Sequence, residues 1–161
     1  MSQSSVPRPD IAYIPTPYDA VEAMLHLAQV GPQDILYDLG CGDGRLLIEA
    51  ARRWGTQGVG IDVDATCLQL AQQQAQEAGV AHLISLHQGN LYESDVSAAT
   101  VVALYLLPHL NVRLLPRLLQ QLRPGARIVS HQFDMGDWEP DQMLQLPSSE
   151  EESTIYVWRI K

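Results

Sequence analysis

Residues 35–45 read ILYDLGCGDGR. An apolar run, Ile35, Leu36 and Tyr37, meets the acid Asp38, and glycines follow at alternate positions, Gly40, Gly42 and Gly44, before an apolar-periodic segment opens at Leu46. This order predicts a strand, a tight turn and the start of a helix. Glycine lets the backbone turn sharply and approach a ligand with no Cβ in the way, and the free N–H groups of the following helix point at the occupant. A nucleotide-like ligand fits such a turn, although a turn of this kind also serves as plain structure.

The glycine spacing narrows the ligand. Dinucleotide-binding turns use G-x-G-x-x-G, with a pyrophosphate on the helix N-terminus. Here Arg45 follows the third glycine and the pattern is D-x-G-x-G-x-G. It resembles motif I of the class I S-adenosylmethionine-dependent methyltransferases. That cofactor has no phosphate and carries a positive ammonium and sulfonium, so the carboxylate of Asp38 is favourable where beside a pyrophosphate it would repel.

Length and composition set the frame. The 161 residues are read as one domain, residues 1–161, with a polar, proline-containing, mobile arm expected over residues 1–12. Hydrophobic residues at 46% and charged residues at 18% place the chain among ordinary globular proteins. No apolar run approaches the roughly 20 residues of a membrane span, and MSQSSVPRPD lacks a signal-peptide core. A soluble, cytoplasmic protein without membrane insertion is expected. Cys41 and Cys67 show neither zinc-ligand spacing nor a disulfide framework, and no metal is expected from the five histidines. The net charge of −9 argues against nucleic acid as a partner, since phosphate binding needs a basic face. The same charge suits a basic substrate, or serves solubility alone.

Along the chain, YIPTPYD at 13–19 predicts an extended lead into a helix, with Thr16 as N-cap and Pro17 opening it. Val21, Met24, Leu25 and Ala28 form its inner face, and it ends near Gly31 and Pro32. After the glycine turn, Leu47, Ala50, Ala51 and Trp54 mark a second helix stopping at Gly55. GVGIDVD at 58–64 reads as a buried strand, with Asp62 about twenty residues beyond the glycine turn, where doubly wound folds place the carboxylate that binds ribose hydroxyls. Asp64 caps a helix whose inner residues are Leu68, Ala71, Ala75 and Ala78, closed by Gly79.

A third strand is expected over 82–87, with a turn at Gly89 and Asn90. Asn90 is a candidate for the adenine edge, and Leu91 and Tyr92 for an adenine face or for core. TVVALYLL at 100–107 reads as a strand buried on both faces. A helix then carries Leu115, Leu118, Leu119 and Leu122, with Pro116 in its first turn. ARIVSHQF supplies strand five, and residues 142–146 and 154–160 form an antiparallel hairpin joined by PSSEEE. The fold class is therefore α/β: a doubly wound, Rossmann-like, seven-stranded sheet, mostly parallel, with a C-terminal antiparallel hairpin.

YIPTP, YDLGCGDGRLLIEAA, VGID, GN, ATVVALYLL, LRPGARIVSHQFDMGDW and TIYVW together resemble the archaeal broad-specificity protein-lysine methyltransferase and the mitochondrial lysine methyltransferases of ATP synthase subunit c and the adenine nucleotide translocase. The resemblance implies S-adenosyl-L-methionine as cofactor and a protein with an exposed lysine as acceptor. It implies that Tyr13 and Thr16 contact the cofactor, that Asp38, Gly40, Cys41 and Gly42 wrap its methionine part, that Asp62 holds the ribose, and that Asn90 and Leu91 flank the adenine. Asp62 stands where relatives often have Glu, and YLLPHLN at 105–111 replaces a pattern resembling FLLTNVN.

Methyl transfer to lysine needs the two reactants aligned and the ammonium deprotonated. Tyr105, at the carboxyl end of strand four, is the candidate channel wall, His131 the candidate proton acceptor and Trp138 a weaker lining residue. Each has a plain alternative as core. A small-molecule acceptor and a non-catalytic cofactor-binding module stand as the other readings, and the oligomeric state is not encoded in any motif.

Overall fold

The computed structural model describes residues 16–147 and 153–161. The expectations for residues 1–12, for Tyr13 and for the Glu150, Glu151, Glu152 run lie outside them.

Helix α1 (Tyr18–Leu27) is followed by β1 (Ile35–Leu39), α2 (Arg45–Trp54), β2 (Gln57–Asp62) and α3 (Ala65–Glu77). Then come β3 (Ile84–Gln88), β4 (Val101–Leu104), α4 (Pro108–Gln121), β5 (Arg127–His131), β6 (Gln142–Leu146) and β7 (Ser153–Arg159). The strands form one seven-stranded sheet in the order β3-β2-β1-β4-β5-β7-β6. Strands β1 to β5 pair in parallel, while β7 runs antiparallel to both β5 and β6. The expected doubly wound sheet with a terminal antiparallel hairpin is the observed one.

Strand alternation builds two cores. Leu36, Val101, Ala103, Val129 and Val157 face one side with the inner residues of α1 and α2. Leu39, Val102, Leu104, Ile128 and Trp158 face the other, against Leu110, Leu114 and Leu118 of α4. The α2–β2 contact is close enough that a Cβ on Gly60 would meet Cys41 Sγ at 2.7 Å and Leu47 Cδ1 at 2.9 Å. Only glycine fits there.

At the amino end of the sheet, Asp34 and Arg127 tie three strands and a helix together. Arg127 donates through Nη1 and Nη2 to the two Asp34 oxygens at 3.1 and 2.9 Å, and through Nε to Ala28 O at 2.9 Å. Thr100 Oγ1 donates to Asp34 Oδ1 at 2.8 Å, and Gly31 N–H to Oδ2 at 2.8 Å. Burial alone would raise the Asp34 pKa, but these bonds hold it below the ordinary carboxylate value.

Several local expectations are corrected. Thr16 is not the cap of α1: Pro17 occupies the N-cap with no side-chain bond, and Asp19 Oδ1 accepts the Ala20 N–H at 2.9 Å. Strand β2 ends at Asp62, because the Asp64 side chain already accepts Thr66 N–H as the cap of α3. Ala78 is exposed, since α3 ends at Glu77 before it. His82 lies in a short 3₁₀ turn, Ala81–Leu83, ahead of β3. Strand β4 is only four residues long, and Tyr105 to Leu107 leave the ladder. Helix α4 opens at Pro108, which places Pro116 in its interior and leaves Leu119 half exposed.

Candidate active site

The glycine turn leaves β1 through three left-handed residues, Gly40, Gly42 and Gly44, with φ of 86°, 54° and 78°. Gly44 is also the N-cap of α2, so the turn and the helix start are one device. Gly40 and Cys41 N–H groups both point to Ile61 O, at 2.7 and 3.2 Å, which binds the turn to the end of β2. The Gly42 N–H donates to Asp62 Oδ2 at 2.9 Å, and Asp64 N–H donates to Asp62 Oδ1 at 2.9 Å. Asp62 is therefore both a strand end and a strut under the turn.

The register brings the predicted residues to one edge. Asp38, Asp62 and Tyr105 lie at or just beyond the carboxyl ends of β1, β2 and β4, and Asn90 follows β3, on four neighbouring strands in the order β3-β2-β1-β4. Asn90 caps a 3₁₀ turn, Leu91–Glu93, with its Oδ1 accepting Tyr92 N–H at 2.9 Å. Its Nδ2 reaches only Glu93, at 3.5 Å, and the residue is exposed. Leu91 is half-buried against the α4-side core.

The electrostatics of this edge are uneven. Burial, then the charges of Asp62 and Asp43, push the Asp38 carboxyl up to about 7. Asp43 is buried and has a cation of its own, Arg45, whose Nη2 lies 2.7 Å from Oδ2. Asp38 has no such partner among the described residues. A half-buried acid beside two others is a place for a ligand cation. The ammonium of S-adenosylmethionine is such a group, and the exposed Gly40 and buried Gly42 leave backbone rather than side chains beside it. The residues present fit that cofactor. Burial, then the charges of Asp38 and Asp62, push the buried Cys41 thiol upward, so it stays a neutral thiol.

The Asp43–Arg45 pair is a feature the sequence reading passed over. Arg45 Nη1 donates to Thr16 O at 3.1 Å and its guanidinium lies 4.6 Å from the Tyr18 ring centroid. Thr16 thus meets the glycine turn through its carbonyl and this arginine. The signal available was the Arg standing next to the third glycine.

Across the edge, Tyr105 meets His131 with ring centroids 4.4 Å apart, and Phe133 stacks on Tyr105 at 6.1 Å. His131 is buried, its Nε2 lies 2.9 Å from Ser153 Oγ, and its Nδ1 has no partner among the described residues. Burial pulls its pKa down to about 4, against the opposing charge of Asp19, so the ring is neutral. Trp138 packs on Trp158 on the other side of the sheet and accepts its indole N–H through the backbone carbonyl, away from these rings. Phe133, the chain's only phenylalanine, was missed; its place two residues after β5 was the available clue. No cluster of potential metal ligands exists among the described residues.

A parallel sheet with one reversed strand, a glycine turn after β1 and acids closing β1 and β2 define a class I S-adenosylmethionine-dependent methyltransferase. Residues 38–142 match the ANTKMT methyltransferase domain, and the chain belongs to that family. It is 38% identical to a protein-lysine N-methyltransferase of Saccharolobus islandicus over 94% of this chain and 95% of that one. It is 28% identical to the mouse adenine nucleotide translocase lysine N-methyltransferase, covering 94% of this chain and 63% of the relative. Among solved structures, an RNA methyltransferase from Salinibacter ruber in complex with S-adenosyl-L-homocysteine superposes with a TM-score of 0.87 at 51% identity, over 91% of this chain and 94% of that one.

Proposed function

We propose that the chain is a protein-lysine N-methyltransferase. The observation that carries this reading is the similarity to the Saccharolobus islandicus protein-lysine N-methyltransferase along nearly the full length of both chains. In this reading Asp38 pairs with the cofactor ammonium, Gly40, Cys41 and Gly42 border its methionine part, Asp62 accepts from the ribose, and Asn90 and Leu91 meet the adenine. Thr16 approaches through the Arg45 tether. When bound, S-adenosylmethionine supplies a methyl group already activated by its sulfonium.

The chain's own residues then hold and orient. Fixing two reactants in line is worth on the order of 7–11 kcal/mol of barrier. The lysine, with an ordinary pKa of about 10.4, must arrive neutral, and a desolvated aromatic wall of Tyr105 and Phe133 disfavours its charged form. His131, already neutral and hydrogen-bonded to Ser153, acts there as packing for Tyr105 rather than as a strong base.

The 51% identity to an RNA methyltransferase supports a second reading, with RNA as acceptor. One experiment separates the two. Purified enzyme and methyl-labelled S-adenosylmethionine are added to a lysate split into protein, RNA and small-molecule fractions. Label in lysine side chains supports the first reading, label in nucleosides the second, and label only in metabolites removes both.

A further inference from the structure

We propose that Asn111 is a positioning residue that sets the aromatic wall through the carbonyl of Phe133. The inference rests on the reading that Tyr105 and Phe133 border the acceptor.

Asn111 sits in the buried stripe of α4 between Leu110 and Leu114 and is fully buried. A buried polar side chain costs stability unless it is hydrogen-bonded, and Asn111 is bonded through its Nδ2 alone, its buried Oδ1 having no partner among the described residues. Its Nδ2 faces Asp134 O at 3.0 Å, Phe133 O at 3.2 Å and Ser130 Oγ at 3.5 Å. Three oxygens on one side fix which end of the amide is nitrogen. Ser130 Oγ donates to the same Phe133 carbonyl at 2.6 Å.

The clamp acts from the face opposite the rings. Ser130 and His131 are consecutive in β5, so their side chains leave opposite faces of the sheet, Ser130 toward α4 and His131 toward Tyr105. Asn111 touches neither Tyr105 nor the Phe133 ring in any hydrogen bond; it grips the backbone from which that ring projects. The grip is needed because the chain leaves β5 through Gln132 in a left-handed conformation, φ 75°, which a non-glycine residue holds only when its neighbours fix it. Strand β7 secures one side, with Gln132 N–H on Thr154 O at 2.7 Å. Asn111 and Ser130 secure the other.

The test uses the full chain. Asn111→Leu removes the donor at similar volume, and Ser130→Ala removes the 2.6 Å bond should the first variant not fold. Because the chain has a single phenylalanine, ring-labelled Phe gives one unambiguous NMR signal set, and its NOE to Tyr105 reads the wall directly. The expected result is loss of that NOE in the folded variants, with cofactor affinity within about twofold of the parent. With total lysate protein stripped of small molecules as acceptor, kcat/KM falls at least about tenfold in Asn111→Leu and in Phe133→Ala, and the double variant falls no further. An intact NOE, or losses that simply multiply, overturns the role of Asn111. A lost NOE with Phe133→Ala kinetically unchanged leaves the clamp standing and removes the acceptor reading instead.

Discussion

Gly42 and Asp62, twenty residues apart, are joined by one backbone N–H to carboxylate bond of 2.9 Å across the mouth of the sheet. A carboxylate expected to serve a ligand also holds the loop that would cradle it. Its two oxygens each accept one N–H, from Gly42 and from Asp64. Replacing Asp62 by Ala should therefore weaken S-adenosylmethionine binding by roughly 1–3 kcal/mol through the ligand bonds, with a further loss from the released turn. Asp62→Asn should do nearly as badly, since its NH₂ would face one of the two N–H groups. Calorimetry reads both, and parent-like affinity in Asp62→Asn would detach the ribose from this residue.

The second prediction concerns pH. Asp38 carries a carboxyl raised to about 7, against about 3.9 in an unfolded chain. In the free enzyme the fold holds a proton that the unfolded chain has lost, so this group's contribution to stability declines as pH rises from about 4 to about 7 and is level above that. A ligand ammonium favours the ionised form. Cofactor affinity should then rise with pH up to about 7, by as much as tenfold per unit, and flatten beyond. Titration between pH 5.5 and 7.5 checks it, and Asp38→Asn should abolish the slope along with most of the affinity.

The third addresses His131. Its pKa of about 4 in the fold, against about 6.5 unfolded, means that the fold binds fewer protons between these values, so stability falls as pH drops through this window. His131→Gln should remove that acid sensitivity in thermal unfolding. It should leave the pH dependence of methyl transfer unchanged in shape, because a neutral ring with so low a pKa is a poor acceptor for an ammonium proton. If a limb of the pH–rate profile disappears with the imidazole, His131 is the proton acceptor after all.

The fourth lies at the amino end of the sheet. Arg127→Met strips Asp34 of a two-pronged partner while Thr100 and Gly31 still hold it in place. Leaving a half-buried carboxylate without its cation should cost about 1–3 kcal/mol of unfolding free energy. The double replacement Arg127→Met with Asp34→Asn should recover part of the loss. Urea unfolding of the three proteins gives the comparison, and equal stability of single and double variants would show that the ion pair itself matters little.

The glycine turn, Asp62 and the terminal hairpin were legible because each is governed by local rules: left-handed φ, a strand-end acid at a fixed reach, alternating apolar residues around a turn. Helix α4 was not. The stripe that packs is Leu110, Asn111, Leu114 and Leu118, and the asparagine within it broke the pattern, which moved the expected start downstream to the leucines near Pro116. Pro116 is tolerated mid-helix on the exposed side with Val112, where the carbonyl that loses its partner is close to water. Asn111 gives no local signal because its partners, Ser130, Phe133 and Asp134, lie about twenty residues away on another strand and loop. The Asp43–Arg45 pair was hidden for a different reason, since a charged pair two residues apart in a turn usually faces solvent.

The Asp34–Arg127 knot has a consequence for how such a chain diversifies. It fastens α1, β1, β4 and β5 at the end of the sheet farthest from the glycine turn. The strands are thus held together at the far end by bonds that do not involve the glycine turn or the loop after β5, so a change in those rim loops leaves this anchor intact. A scaffold anchored in this way can keep one methyl donor while its acceptor changes from one relative to the next.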